Sequence, residues 1–468
     1  MTSEPARRNL SLEEMDKESL FHPYTSIVDH LRRGPVLMDS GQGVRLKDSR
    51  GRDYIDAMGG LWCVNIGYGR AEMAEAIAEQ TRKLAYYHLF MSMSNEPVVR
   101  LADQVLQLMP KQMSKVFFCN SGSEANDTQV KIAWYYNNLR GKPAKTKIIA
   151  RRKGYHGVTV AAASMTGLPN LHKAFNLPLP GFLHTRAPHH YWEAPAGMSE
   201  RAFSAQLAEE LDDMILGEGA DTVAAFIAEP VMGAGGVVPP PEGYFEAVQA
   251  VLRKHDVLFI VDEVICGFGR LGTYFGTDYY RLEPDMITIA KGLTSGYVPM
   301  SAAVISEKIW DVLKDGSPEI GVFAHGYTYS GHPVAAAAGL KNLEIIAREN
   351  LVGNAAKVGA HMQKRLRQLF ADHPLVGEIR GVGLIAGVEL VADRVKKTAF
   401  DPKLQIGPRS ARLLQEEGLL SRGMVNSLAF SPPLVITEAE IDEMVERFGR
   451  GLARIADELV KDRSWKAA

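Results

Sequence analysis

The chain has 468 residues, 46% of them hydrophobic and 23% charged, with a formal net charge of −2, which describes a globular protein of two or three domains with a large core and excludes disordered and fibrous classes. The near-neutral balance supplies no field for nucleic acid, and the absence of an apolar leader or of a run of about 18 apolar residues argues against export and membrane insertion. Three cysteines (Cys63, Cys119 and Cys266), odd in number and widely spaced, argue against a disulfide framework or a zinc site, so the expectation is a reducing cytoplasm and no metal.

Residues up to about Ser26 alternate charged residues with isolated hydrophobics around Pro23, which predicts an extended arm of the kind that packs on a partner subunit. Val36 to Met58 alternates apolar and polar residues and turns at Gly41-Gln42-Gly43 and Ser49-Arg50-Gly51, the pattern of a small antiparallel meander. The period then changes, and Ala71 to Leu84 and Pro97 to Met109 read as amphipathic helices.

Strands and helices alternate from there. Lys115 to Cys119 is a strand, Glu124 to Leu139 a helix closed by Gly141, and Lys147 to Ala150 the next strand. Thr222 to Ala228, Leu258 to Val261, Met286 to Ala290 and Ser301 to Ile305 continue the series, with helices such as Tyr244 to His255 between some of them. Solidly apolar strands alternating with helices imply an α/β fold built on a mainly parallel sheet covered on both faces. Pro333 opens a helix, a long amphipathic segment covers Ala356 to Phe370, and Glu378 to Leu390 supplies strands kinked by glycine. Helices at Ser410 to Glu417 and Glu438 to Glu458 follow. The expected division is an N-terminal arm with part of a small domain over 1–60, a large domain over 61–335 and a smaller α+β domain over 336–468.

Two of the apolar strands stop at an ionisable residue, Asp262 and Lys291. Charge at such ends is costly to bury unless something pairs with it, so a site is the economical explanation. Beyond the carboxyl ends of the strands stand four reactive or anion-binding texts: Asn120-Ser121-Gly122-Ser123-Glu124, Glu229-Pro230, Asp262-Glu263 and Lys291-Gly292. Ser121, Gly122 and Ser123 open a helix and would present hydroxyls and backbone N–H groups to a phosphate, although serine and asparagine also serve there as plain helix caps. Desolvation would make Lys291 a nucleophilic amine, whereas an ordinary strand-end lysine extends into solvent. An amine, a carboxylate and a phosphate cradle at neighbouring strand ends are the parts needed to hold pyridoxal 5′-phosphate.

The texts LWCVNIGYG, NSGSEANDT, GYHG, AEPVMGAGG, VDEVICGFGR, AKGLTSG, GYTYSGHP and EIRGVGLIAGVEL resemble the class III (ω-amino-acid) aminotransferases, pyridoxal-phosphate-dependent transferases of fold type I. The spacing of Asp262 and Lys291 matches that family as well. The resemblance implies Lys291 as the Schiff-base lysine and Asp262 as partner of the pyridine nitrogen. It implies Tyr155 stacked on one ring face and Val264 packed on the other, with Glu229 beside Asp262 or facing the substrate. Ser121, Gly122 and Ser123 would hold the phosphate with Thr328 from the other subunit of a homodimer or dimer of dimers, whose active site lies at the interface. Trp62 and Phe90 would line the substrate pocket, and Arg422 would pair with substrate carboxylates, although Val425 stands where relatives usually have glycine.

The implied reaction moves an amino group from a primary amine or ω-amino acid to a 2-oxo acid such as pyruvate, by ping-pong kinetics through pyridoxamine phosphate. A decarboxylase or aminomutase on the same scaffold is the enzymatic alternative, and a binding protein with a degenerate site is the non-enzymatic one.

Overall fold

The computed structural model describes residues 10–465. The first nine residues of the expected arm lie outside that range, and within the rest Leu12–Ser19 is helical rather than extended. Helix α1 (Leu12–Ser19) begins with a reciprocal cap, in which Glu14 N–H donates to Ser11 Oγ and Ser11 N–H to Glu14. This Ser-x-x-Glu start signal outweighs the charge alternation that read as extended chain. Pro23 confines the break to a turn, after which Ser26 caps α2 (Ile27–Arg33).

The meander forms as expected from β1 (Met38–Gln42), β2 (Arg45–Asp48) and β3 (Asp53–Asp56). Helices α3 (Ala71–Lys83) and α4 (Glu96–Leu108) lead into β4 (Met113–Cys119), α5 (Gly122–Leu139), β5 (Lys147–Arg151), β6 (Phe182–Thr185) and α6 (Glu200–Glu218). Next come β7 (Val223–Ala228), α7 (Tyr244–Lys254), β8 (Leu258–Asp262), β9 (Met286–Ile289), β10 (Ser301–Ser306) and α8 (Glu307–Ile320). The seven strands form one sheet of order β4-β10-β9-β8-β7-β5-β6. Along β5 and β7 the side chains alternate between two covered faces. Ile148, Ala150, Ala225 and Ile227 pack under α5 and α8, while Ile149, Phe226 and Ala228 pack under α6 and α7.

Two features escaped the sequence reading. Edge strand β6 is only half buried, so FLHT carries no solid apolar run. Strand β10 is antiparallel to both β4 and β9, whereas β5 to β9 pair in parallel. Every residue of β10 is buried, and burial gives hydrophobicity without specifying direction.

Helices α9 (Pro333–Arg348) and α10 (Leu351–Phe370) precede the hairpin of β11 (Val376–Val382) and β12 (Ile385–Leu390), which turns at Gly383. After α11 (Ile406–Glu416), β13 (Leu419–Leu420) runs parallel to β3 and joins the meander. Strands β14 (Arg422–Met424) and β15 (Ser427–Phe430) extend the hairpin into an antiparallel sheet of order β11-β12-β15-β14, and α12 (Glu438–Lys461) packs against α10 and α11, with Phe448 meeting Phe430 of β15.

Candidate active site

Parallel strands β4, β5, β7, β8 and β9 bring their carboxyl ends to one edge of the central sheet, and a chamber of about 340 Å³ opens there. Ser121, Tyr155, Glu229, Asp262, Val264 and Lys291 all line it, with Gly122 and Ser123 beside Ser121. Eight of the twelve site positions expected from the sequence therefore line one cavity, and Arg422 acts electrostatically on Lys291 from outside that lining.

Asp262 ends β8 and is 3% exposed. Its Oδ2 accepts hydrogen bonds from His156 Nδ1 at 2.8 Å and Asn126 Nδ2 at 2.9 Å, and its Oδ1 accepts from Val264 N–H at 3.1 Å. Because a carboxylate only accepts, His156 carries its proton on Nδ1, which leaves a buried Nε2 with no partner. Sequence reasoning missed both His156 and Asn126. The signals were there, since His156 follows Tyr155 in GYHG and Asn126 lies one helical turn beyond Gly122 on the same face of α5.

Lys291 follows β9 in a short turn at φ 45°, and its side chain opens onto the chamber. Burial pushes its pKa down, opposed by Asp262 and reinforced by Arg422. A more weakly held proton is what a nucleophilic amine requires. Burial likewise pushes the Glu229 carboxyl up. Glu229 accepts from Tyr155 N–H at 3.0 Å and Gly233 N–H at 2.8 Å, so it fixes the backbone beneath Tyr155.

The start of α5 is an anion cradle. Ser121 caps the helix through Glu124 N–H, and Glu124 reaches back to accept from Asn120 N–H at 2.8 Å. Gly122 and Ser123 N–H groups have no intrahelical acceptor. Ser123 Oγ accepts from Val158 N–H at 3.0 Å, which leaves its own proton to donate.

Four expected residues lie apart from the chamber lining. Trp62 is 2% exposed and packs against Gly233 and Ile265, while its neighbour Leu61 faces the cavity. The Arg422 guanidinium lies 5.4 Å above the Trp62 ring and also acts on Tyr155 and on Tyr24, a further residue that sequence reasoning missed. Phe90 and Thr328 occupy an exposed surface of the single chain. There the Phe90 ring abuts Gly326 and the Thr328 carbonyl accepts from Tyr86 Oη at 2.7 Å.

Residues 29–452 match the family described as aminotransferase class-III. The chain belongs to the class-III aminotransferases. An uncharacterised aminotransferase of Sinorhizobium fredii is 51% identical over 456 residues, spanning 96% of this chain and 98% of its own length. The diaminobutyrate–2-oxoglutarate transaminase of Halomonas elongata is 48% identical over 461 residues, spanning 97% and 98%. The omega transaminase of Pseudomonas jessenii, solved in complex with PMP, superposes with a TM-score of 0.94 at 49% identity over 96% of this chain and 99% of its own.

This class-III aminotransferase therefore transfers amino groups with pyridoxal 5′-phosphate, and its relatives, named as transaminases, give no sign favouring the decarboxylase or aminomutase alternatives. The chamber fits that cofactor by its donor set. It brings together a desolvated amine, a carboxylate satisfied on its protein side, and a helix start whose first N–H groups are free. Among the described residues no helix is long and apolar enough to cross a membrane.

Proposed function

We propose that this aminotransferase takes the amino group of a primary amine or an ω-amino acid and passes it to a 2-oxo acid such as pyruvate, as a cytoplasmic homodimer or dimer of dimers. Pyridoxal phosphate, when bound, supplies a carbonyl carbon for the amine and a ring that takes up the electron pair of the deprotonated carbon. Lys291 supplies the amine that holds that carbon. With the cofactor bound, the Lys291 amine would stand where a base is needed to carry a proton, which its lowered pKa suits it to do. Asp262, oriented by His156 and Asn126, holds a proton at the ring nitrogen. Tyr155 and Val264, which line the chamber, would hold the ring, and Glu229 fixes the Tyr155 backbone. Ser121, Gly122 and Ser123 bind the phosphate from one chain, and Thr328 of a second copy completes the cradle.

The observation that carries the substrate reading is Arg422. It is a largely buried cation whose neighbours are the Trp62 ring and the phenols of Tyr155 and Tyr24, and no carboxylate of the described residues pairs with it. A buried unpaired charge is expensive, and a planar guanidinium suits a bidentate carboxylate, so a substrate carboxylate is its natural partner. The aromatic wall beside it suits the apolar body of an amine. Diaminobutyrate and γ-aminobutyrate, named for the Halomonas relative and for a tomato relative 45% identical to this chain, both hold an amine apart from a carboxylate. The free state of Cys63, Cys119 and Cys266 supports a reducing compartment.

A donor panel with pyruvate as acceptor, run before and after Arg422→Ala, tests the reading. Loss of a charge-assisted pair predicts a fall in kcat/KM of roughly 10- to 100-fold for an ω-amino acid, with an arylalkyl amine far less affected. An unchanged carboxylate preference would reject the role of Arg422.

A further inference from the structure

Three metal-ligand side chains converge in the N-terminal helical segment, outside the chamber. Asp16 lies on α1, His30 on α2 and His22 in the turn between them. His22 Nε2 is 2.9 Å from Asp16 Oδ1 and 3.0 Å from Oδ2, and His30 Nε2 is 3.1 Å from Asp16 Oδ1. One ligand atom from each residue falls within 4.8 Å of the other two. The His30 and Asp16 side chains are only 10% and 11% exposed.

The geometry at His30 separates a metal site from an ordinary hydrogen-bonded pair. Its Nε2 is buried and makes no hydrogen bond, although a carboxylate oxygen stands 3.1 Å away. The nitrogen is near that oxygen without being aimed at it. Two ligands of a shared ion stand in this relation, because their lone pairs converge on a point between them. A tetrahedral ion with bonds of about 2.0–2.1 Å separates its ligand atoms by roughly 3.3 Å, close to the 3.1 Å between His30 Nε2 and Asp16 Oδ1, while His22 Nε2 rests in a hydrogen bond to the same carboxylate that an ion would replace.

We propose that Asp16, His22 and His30 bind one divalent transition-metal ion of the zinc type, with water completing its shell. Two imidazoles and one carboxylate favour such an ion over magnesium or calcium, which prefer all-oxygen shells. His22 and His30 also line a neighbouring cavity of about 340 Å³, which gives an ion a route in. The ion would clasp α1, the turn and α2 into one unit. Tyr24, two residues after His22, carries that constraint towards the active site, because its phenol interacts with Tyr155 and Arg422. The ion's role is thus to position the segment, with no part in amino transfer.

Calorimetric titration of chelator-treated holoenzyme with zinc chloride tests the proposal, alongside the melting temperature at each zinc concentration. The expected result is one ion per chain and a melting temperature that rises with zinc but is indifferent to magnesium. In His30→Gln and in Asp16→Asn the affinity falls by more than about 100-fold, with amine transfer in the chelated enzyme unchanged. Cobalt(II) titration of the unaltered protein gives a second measure independent of any variant, through visible bands of a low-coordinate nitrogen and oxygen site. Zinc binding of equal affinity in the wild type and both variants, or a cobalt spectrum identical to that of the aquo ion, would overturn the assignment.

Discussion

The Lys291 amine is held below the ordinary lysine range mainly by desolvation, even though Asp262 pulls the other way. The neutral amine exists above the pKa, so a lowered pKa extends reactivity to lower pH. In cofactor-free protein, competitive acylation should label Lys291 at a lower pH than a free alkylamine standard in the same reaction, and coincident profiles would contradict that. Lys291→Ala is expected to abolish turnover together with covalent cofactor attachment, measured by rate and by absorbance. His156→Leu removes a hydrogen bond to a buried carboxylate, worth about 1.5–3 kcal/mol, so cofactor retention and kcat should both fall by roughly tenfold or more. Asp262 and Lys291 were legible because each is a charge closing an apolar run. His156 and Asn126 were not, because their partner lies 106 and 136 positions away and only the folded sheet brings them to it. The Asp16, His22 and His30 set escaped because the expectation of no metal was argued from the cysteines.

At the level of elements, the apolar runs gave the positions of the central strands to within a residue or two. They could not give direction, which is why β10 read as one more member of a parallel series. Nor could they show the half-buried β6. The cradle at the start of α5 depends on a loop that must pass close by. Gly157 has φ 132°, and a Cβ there would lie 2.4 Å from Ser123 Oγ. Gly157→Ala should therefore cost about 1–3 kcal/mol of strain and displacement, read as weaker cofactor affinity by fluorescence titration. A second element-level contact is Arg270, fully buried after β8, whose pKa burial lowers to about 10. It donates to the carbonyls of Leu384 and Pro432 and to Asn65 Oδ1, and so ties the loop after β8 to the C-terminal sheet. Arg270→Ala strands three buried acceptors, for a loss of about 3 kcal/mol and a melting temperature lower by several degrees.

Across the whole molecule, the surface that holds Thr328 and Phe90 is rich in exposed apolar side chains. Met91 is 83% exposed and Tyr329 58%, with Tyr86 and Tyr329 in edge contact. Apolar exposure of this kind marks a contact surface, and it supports the proposed second copy bringing Thr328 to the cradle. Met91→Asp with Tyr329→Asp should yield monomers by sedimentation and lose turnover, and a fully active dimer would reject that arrangement. The order of the central sheet has a further consequence, for synthesis. Strand β4, which carries the phosphate cradle, has one neighbour in the sheet, and that neighbour is β10, whose Ser301 hydroxyl also donates to the Ser121 carbonyl at 2.7 Å. A chain leaving the ribosome from its N-terminus makes Asp262 and Lys291 before it makes Ser301. The two charged poles of the pocket thus emerge while the anion cradle still lacks the strand that holds it, which places cofactor capture late in the life of the nascent chain.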